Sequence, residues 1–211
     1  MALVSTPASL PPLADPPSIT IRPIEPGDKQ ALRDGCDRLS ERSRYRRFLS
    51  PHGTLTAAEL RYFTEVDHHD HEALVAIDPA TGRGVGVARY VRSPVDSEVA
   101  ELAVAVADDW QGQGVGSRLT HALVDRARDE QIERFTALML ADNDRMLHLI
   151  RELGVVHDLH SADGAVEVTV DLPAQGGGDV SRLVRAAARG EIEPVGHGRH
   201  GSAPHDPATV P

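Results

Sequence analysis

Apolar and polar residues alternate from Ile19 to Ile24, the period of a half-buried strand. Pro26 and Asp28 then open a helical stretch that runs to about Leu39. Ser40 begins a second, arginine-rich segment through Phe48. Thr56 and Glu59 stand at capping-box spacing and start a helix to about Val66. Glu72 to Ile77 is a strand, and Asp78-Pro79-Ala80-Thr81-Gly82 a turn. Gly84–Val91 and Ser97–Val106 follow as strands, and their short links predict antiparallel neighbours. From Val115 to Gln131 the spacing is helical, with Val115, Leu119, Ala122 and Leu123 on one face. Arg134–Leu140 is a further strand, and Asp142–Leu153 a helix with Gly154 as its terminal cap. Val155–His160 and Ala165–Asp171 form a hairpin around Asp163-Gly164. The order β-α-α-β-β-β-α-β-α-β-β predicts an α+β fold on a mixed sheet.

This pattern occupies residues 18–172 of 211. Residues 1–17 read as a proline-rich disordered leader, with no basic region or unbroken apolar core to make a signal peptide. Residues 173–211 shift to Gly, Pro, His and Ala and read as a mostly disordered tail, with one short helix near 180–189. The tail histidines, His197, His200 and His205, are too scattered among Gly and Pro to predict a metal site. No stretch reaches the roughly 20 apolar residues of a membrane span, so no membrane partner is expected. Cys36 is the single cysteine, which excludes an internal disulfide and fits a cytoplasmic location. A net charge of -10 argues against nucleic acid as partner and favours a cationic one.

Between the strand that ends near Val106 and the helix that begins at Val115 lies Trp110-Gln111-Gly112-Gln113-Gly114-Val115-Gly116. A glycine turn that opens a helix is a place to hold phosphate. Free N–H groups converge there, the helix dipole adds positive charge, and no Cβ blocks the approach. A nucleoside-triphosphate loop needs a lysine in the turn, and none is present. A dinucleotide fingerprint has different glycine spacing and belongs to a parallel βαβ unit. Acyl-coenzyme A is the third reading; a turn with no ligand is the fourth. Trp110, the single tryptophan, is expected to shield the turn or pack in the core.

Gln111-x-x-Gly114-x-Gly116, together with the element order, resembles the pyrophosphate motif and fold of the GNAT superfamily of N-acetyltransferases. Further stretches resemble its bacterial Pat-type protein lysine acetyltransferases: Ile21-Arg22-Pro23-Ile24, Ser40 to Phe48, Val66-Asp67-His68, Gly86 to Tyr90, and Ala100 to Ala103. The resemblance implies a mixed, mostly antiparallel central sheet flanked by helices. It implies acetyl-CoA as co-substrate, no metal, and a protein substrate with an acceptor lysine. Amides of Gly112, Gln113, Gly114, Val115, Gly116 and Ser117 would then cradle the pyrophosphate beside Gln111. Backbone groups of Val104, Ala105 and Val106 would pair with the pantetheine arm, and Asn143 would bond it. An Asn at that point can equally open the helix beside an Asp142 cap. The sequence does not set the oligomeric state.

Acetyl transfer to an amine needs a neutral nitrogen, whereas a lysine ammonium has a pKa near 10.4. Glu101 is the candidate base. It shares a strand face with Ala103 and Ala105, where a carboxylate is costly unless used or paired. Pat-type enzymes carry their proposed catalytic glutamate at this position. The alternative is a structural ion pair with Arg89 or Arg134. Many superfamily members place a Tyr acid where this chain has Ile150, and some place a second Glu where it has Leu138. Both departures shift weight onto Glu101. The Asp67-His68-His69-Asp70-His71 run is expected to be a polar loop rather than a metal site. The Arg42 to Arg47 segment reads as a solvated basic face, or as a contact for the coenzyme's 3′-phosphate or an acidic part of the substrate. The rival functions are a small-molecule amine acetyltransferase and a non-catalytic acyl-CoA sensor.

Overall fold

Seven strands form one sheet in the order β1-β2-β3-β4-β5-β7-β6. They are β1 (Thr20–Pro23), β2 (His71–Ile77), β3 (Gly84–Arg92), β4 (Val99–Val106), β5 (Arg134–Leu140), β6 (Val155–Ala162) and β7 (Ala165–Asp171). A computed structural model describes residues 17–162 and 164–173 of the chain. The expected leader, the tail, its short helix and its histidines lie outside those residues, apart from the edges at residue 17 and residue 173.

Every neighbouring pair of strands is antiparallel except β4 with β5. That parallel pair needs a crossover, and helix α4 supplies it. Among the described residues five helices flank the sheet: α1 (Lys29–Asp37), α2 (Glu41–Phe48), α3 (Ala57–Thr64), α4 (Val115–Asp129) and α5 (Asp144–Leu153). Each element predicted between residues 18 and 172 is present. Their starts reflect local capping chemistry. Ser40 caps α2 by accepting from the Ser43 amide, and the Thr56–Glu59 capping box opens α3. Pro26–Asp28 forms a 3₁₀ turn ahead of α1 rather than part of it.

Pleat alternation divides the apolar residues between two faces of the sheet. Leu74, Ala88, Tyr90, Leu102 and Phe135 pack toward α4 and α5, against Val115, Leu119, Leu123 and Ile150. The opposite face carries smaller clusters, with Ala73 and Val75 in one and Cys36, Leu55 and Leu60 in another. Cys36 is buried in α1, and desolvation raises its thiol pKa, so it behaves as a small core residue.

Two capping expectations are corrected. Gly154 follows α5 with φ 168°, which is extended backbone rather than a left-handed cap. Its reason is space: a Cβ there would sit 1.8 Å from the Asp171 carbonyl oxygen. Helix α5 is capped by Asn143, which accepts from the Met146 amide at 3.4 Å, while Asp142 pairs with Arg42 and Arg46.

Candidate active site

The parallel ladder between β4 and β5 has three rungs: Val99–Arg134, Ala100–Phe135 and Glu101–Thr136. Among the described residues no strand lies beside that edge of β4 beyond Glu101, although β3 pairs with its other edge as far as Val106. Between the diverging strands opens a cleft of about 670 Å³. Its floor is Glu101 to Val106, with Leu138 and Met139 of β5 facing them and α5 along one side. An open strand edge in a slot this size suits an extended ligand with amide groups, which can hydrogen-bond as a missing strand would.

At the far end of this slot, Gly112 and Gly114 adopt left-handed conformations, with φ 74° and 78°. These are the two positions in the turn where glycine is conformationally required. They turn the chain so that α4 begins at Val115 with no side-chain cap on its amides. The first amides of a helix have no carbonyl within it to bond, so they are available to an anion. Gly116 stands in ordinary contact distance of Val106 and Leu149 and lines the slot.

The predicted residues divide by role within this geometry. Val104, Ala105, Val106, Gln111, Gly112, Gly114, Gly116, Ser117 and Asn143 all line the cleft. Gln113 and Val115 do not: the Gln113 side chain donates to the Asp109 carbonyl, and Val115 is 1 % exposed in the core. Only their amides can face a ligand. Gln111 is heavily used within the protein. Its amide nitrogen donates to the Val106 carbonyl at 3.0 Å and to Asp108, and its oxygen accepts from Arg145 at 2.7 Å. It fixes the turn against β4 and holds an arginine at the cleft rim. Trp110 both packs against the core and lines the cleft.

Glu101 is exposed in the cleft and makes no hydrogen bond or ion pair among the described residues. The alternative partners are engaged elsewhere: Arg89 with His71 and the Phe63 carbonyl, Arg134 with Asp96. The desolvation argument made from the strand pattern does not apply. Glu101 is exposed in the cleft, so the carboxylate incurs little burial cost. Ile150 is 0 % exposed in the core, whereas Leu138 is 52 % exposed and lines the cleft. Neither can donate a proton.

Several cleft residues were not legible in the sequence. Arg46 and Arg47 reach it from α2, and Arg145 and His148 from α5. The only sequence signal was the arginine-rich run itself. Arg42 fits the solvated-face reading, since its side chain is 72 % exposed. The histidine run forms an ion-pair knot. His68 meets the buried Glu72, His69 meets Glu130, and His71 accepts from Arg89. Among the described residues no three His, Cys, Asp or Glu side chains are grouped to hold a metal ion.

Residues 37–155 match the family model described as the acetyltransferase (GNAT) family. The chain is 38% identical over 156 residues to acetyltransferase Pat of Mycolicibacterium smegmatis, covering 72% of this chain and 45% of that protein. It is 32% identical over 146 residues to acetyltransferase PA5475 of Pseudomonas aeruginosa, covering 68% and 78% of the two. Among solved structures it is similar to the GNAT domain of the S. lividans PAT. That match has a TM-score of 0.66 at 31% identity and covers 72% of this chain and 89% of that one. The chain thus spans a little under half the length of the mycobacterial relative.

Proposed function

Because this chain belongs to the GNAT acetyltransferase family, we propose that it transfers an acetyl group from acetyl-CoA to a primary amine, with a protein lysine ε-amine as acceptor. The observation that carries this reading is the unpartnered Glu101 carboxylate at one end of a slot whose other end is an uncapped helix N-terminus. The slot supports an acyl-CoA. The first-turn amides of α4 would hold the pyrophosphate, and the open edge of β4 from Val104 to Val106 would pair with the pantetheine arm. The Val106 carbonyl already accepts from Gln111, so the Val104 and Val106 amides and the remaining lone pair are what β4 offers there, since the Ala107 amide bonds β3. Asn143 caps α5 through its side-chain oxygen and leaves its NH₂ to donate.

Glu101 would take a proton from the incoming ammonium, directly or through water. The free amine then attacks the thioester carbonyl, and the tetrahedral adduct collapses with loss of the thiolate. Among the described residues no tyrosine lines the cleft, and we take the thiolate to leave unprotonated or to gain its proton from water. Glu101 is open to solvent, which supports transfer within a complex of both substrates and gives no covalent acyl-enzyme a role.

The acceptor is tested with labelled acetyl-CoA and a lysate of the source organism, followed by mapping of the modified residues. Lys29 is the only lysine in this chain, so label found elsewhere than Lys29 or the N-terminus belongs to a substrate. Acetylated lysines in other proteins are expected. Label confined to small amines would overturn the lysine reading, and binding of acetyl-CoA without transfer to any amine would overturn the transferase.

A further inference from the structure

A second cavity, of about 110 Å³, lies between the helices α1 to α3 and the sheet. It adjoins the cleft: Leu39, Arg47, Phe48 and Ala105 line both. Ala105 stands four residues from Glu101 on the same strand face. The wall is largely apolar, with Leu55, Phe63 and Val87.

Two guanidinium groups border this apolar space with no ion pair among the described residues, although the Glu101 charge reaches Arg47. Arg89 is 4% exposed. It donates to the Phe63 carbonyl at 3.2 Å and to His71 Nε2 at 3.0 Å, and lies 4.4 Å from the centre of the Phe63 ring. Arg47 makes no hydrogen bond or ion pair among the described residues; its guanidinium lies 5.1 Å from the centre of the Phe48 ring. Arg22 also borders the cavity, but Asp28 neutralises it through two hydrogen bonds. Burial lowers the pKa of both unpaired arginines. The charge of Arg47 lowers that of Arg89 further, to about 9, while the charge of Glu101 acts in the opposite sense on Arg47. Two desolvated cations side by side are costly, and an anion between them would relieve both. Arginine forks match a carboxylate in geometry as well as charge.

We propose that this cavity receives a carboxylate of the acceptor, so that the enzyme selects amines that carry a carboxylate a short chain away from the nitrogen. The acceptor's carboxylate meets Arg47, which lines both spaces, with Arg89 behind it in the cavity, while its amine stays at Glu101. The space admits a carboxylate on a short aliphatic stem and excludes a sugar or a base. Two sources share this chemistry: an acidic residue next to an acceptor lysine, and the α-carboxylate of a free amino acid. The inference rests on the transferase reading above and adds the acceptor class.

Two matched pairs test it. One is a lysine peptide with Glu or Gln beside the acceptor; the other is a free amino acid and its carboxamide. At least about a tenfold preference in kcat/KM for the carboxylate member is expected in one pair, and that pair identifies the source. In Arg47→Gln the ratio should fall to near one, and Arg47→Lys should keep part of it. A merely structural role for Arg47 would slow both members alike and leave the ratio unchanged, which overturns the proposal. Equal use of both members in both pairs by the unaltered protein overturns it as well, with transfer itself intact. Calorimetry of the N-acetylated carboxylate against its amide, in the presence of coenzyme A, reads the same selectivity without turnover; equal affinities would count against the cavity. A protein that acetylates no amine at all fails earlier, at the transferase reading, and takes this inference with it.

Discussion

At the scale of single residues, Glu101 carries the sharpest expectation. Glu101→Gln keeps the size and polarity of the side chain but replaces one acceptor oxygen by an NH₂ donor and removes the base. Turnover should fall at least about tenfold, while acetyl-CoA affinity stays nearly unchanged. Steady-state kinetics with an equilibrium binding measurement separates the two, and unchanged turnover would dismiss Glu101 as base. Strand alternation made its face legible in the sequence. Its exposure was not, because that depends on which distant segments pack over that face of β4. Gly154 teaches the same lesson. Its place after α5 was readable, but the need for glycine comes from the Asp171 carbonyl, 17 residues on in sequence and met only in the folded sheet. Gly154→Ala should destabilise the protein by about 3 kcal/mol or more in urea unfolding, since backbone rather than a soft side chain must move. Gly35 in α1 has nothing within 4 Å of an added Cβ. Gly35→Ala should therefore stabilise by about 0.5–1 kcal/mol. Equal effects at the two sites would contradict this packing.

At the scale of elements, the glycine turn and α4 act as one device. Positive φ at Gly112 and Gly114 aims the helix start into the cleft, and Gln111 ties the turn to the end of β4. Gly114→Ala puts a side chain into the left-handed region, at a cost of about 1 kcal/mol, and disturbs the amides that would meet phosphate. Acetyl-CoA binding should weaken more than overall stability does; the reverse order, from calorimetry and unfolding, would mean the turn is only structural. The motif was legible because its residues are adjacent. The loop before β2 was less so, since its partners come from α3, α4 and β3. His71 lies near Tyr62 of α3 and accepts from Arg89 of β3, an arrangement open only to a neutral imidazole because arginine has no lone pair to offer. Burial, and then Arg89, lower its pKa from 6.5 to about 4, against the smaller opposing pull of Asp67 and Glu72. The unfolded chain therefore takes up this proton first as pH falls. Stability from the neutral state is full above about pH 6.5 and is lost toward pH 4, on the order of 2 kcal/mol. His71→Gln should flatten that part of the pH–stability curve; an unchanged slope would assign it to other groups.

On the scale of the whole molecule, the sheet is two blocks joined by a short seam. Strands β1 to β4 form one antiparallel block and β5 to β7 another, and three parallel rungs connect them. The core beneath α4 and α5 spans both, so the seam does not bear the join alone. An acyl-CoA in the cleft would add the missing strand-like contacts along β4 and reach the start of α4. Ligand that binds only the folded state adds RT ln(1 + [L]/Kd), about 2.7 kcal/mol at a hundredfold excess over Kd. For a chain of this size that corresponds to a rise in Tm of roughly 5–10 °C. The distribution of the gain matters more than its size. Hydrogen exchange should slow at the amides of Val104 and Val106, which alternate with those bonded to β3, and at Val115 to Ser117, while β1 and β2, bonded to neighbours already, change little. Equal protection across all strands would mean the ligand acts by global stabilisation and does not lie along β4. Protection confined to the α4 turn would mean that phosphate binding alone holds the coenzyme. In that case the thioester has no fixed approach to Glu101, and catalysis from this cleft would need another element to position it.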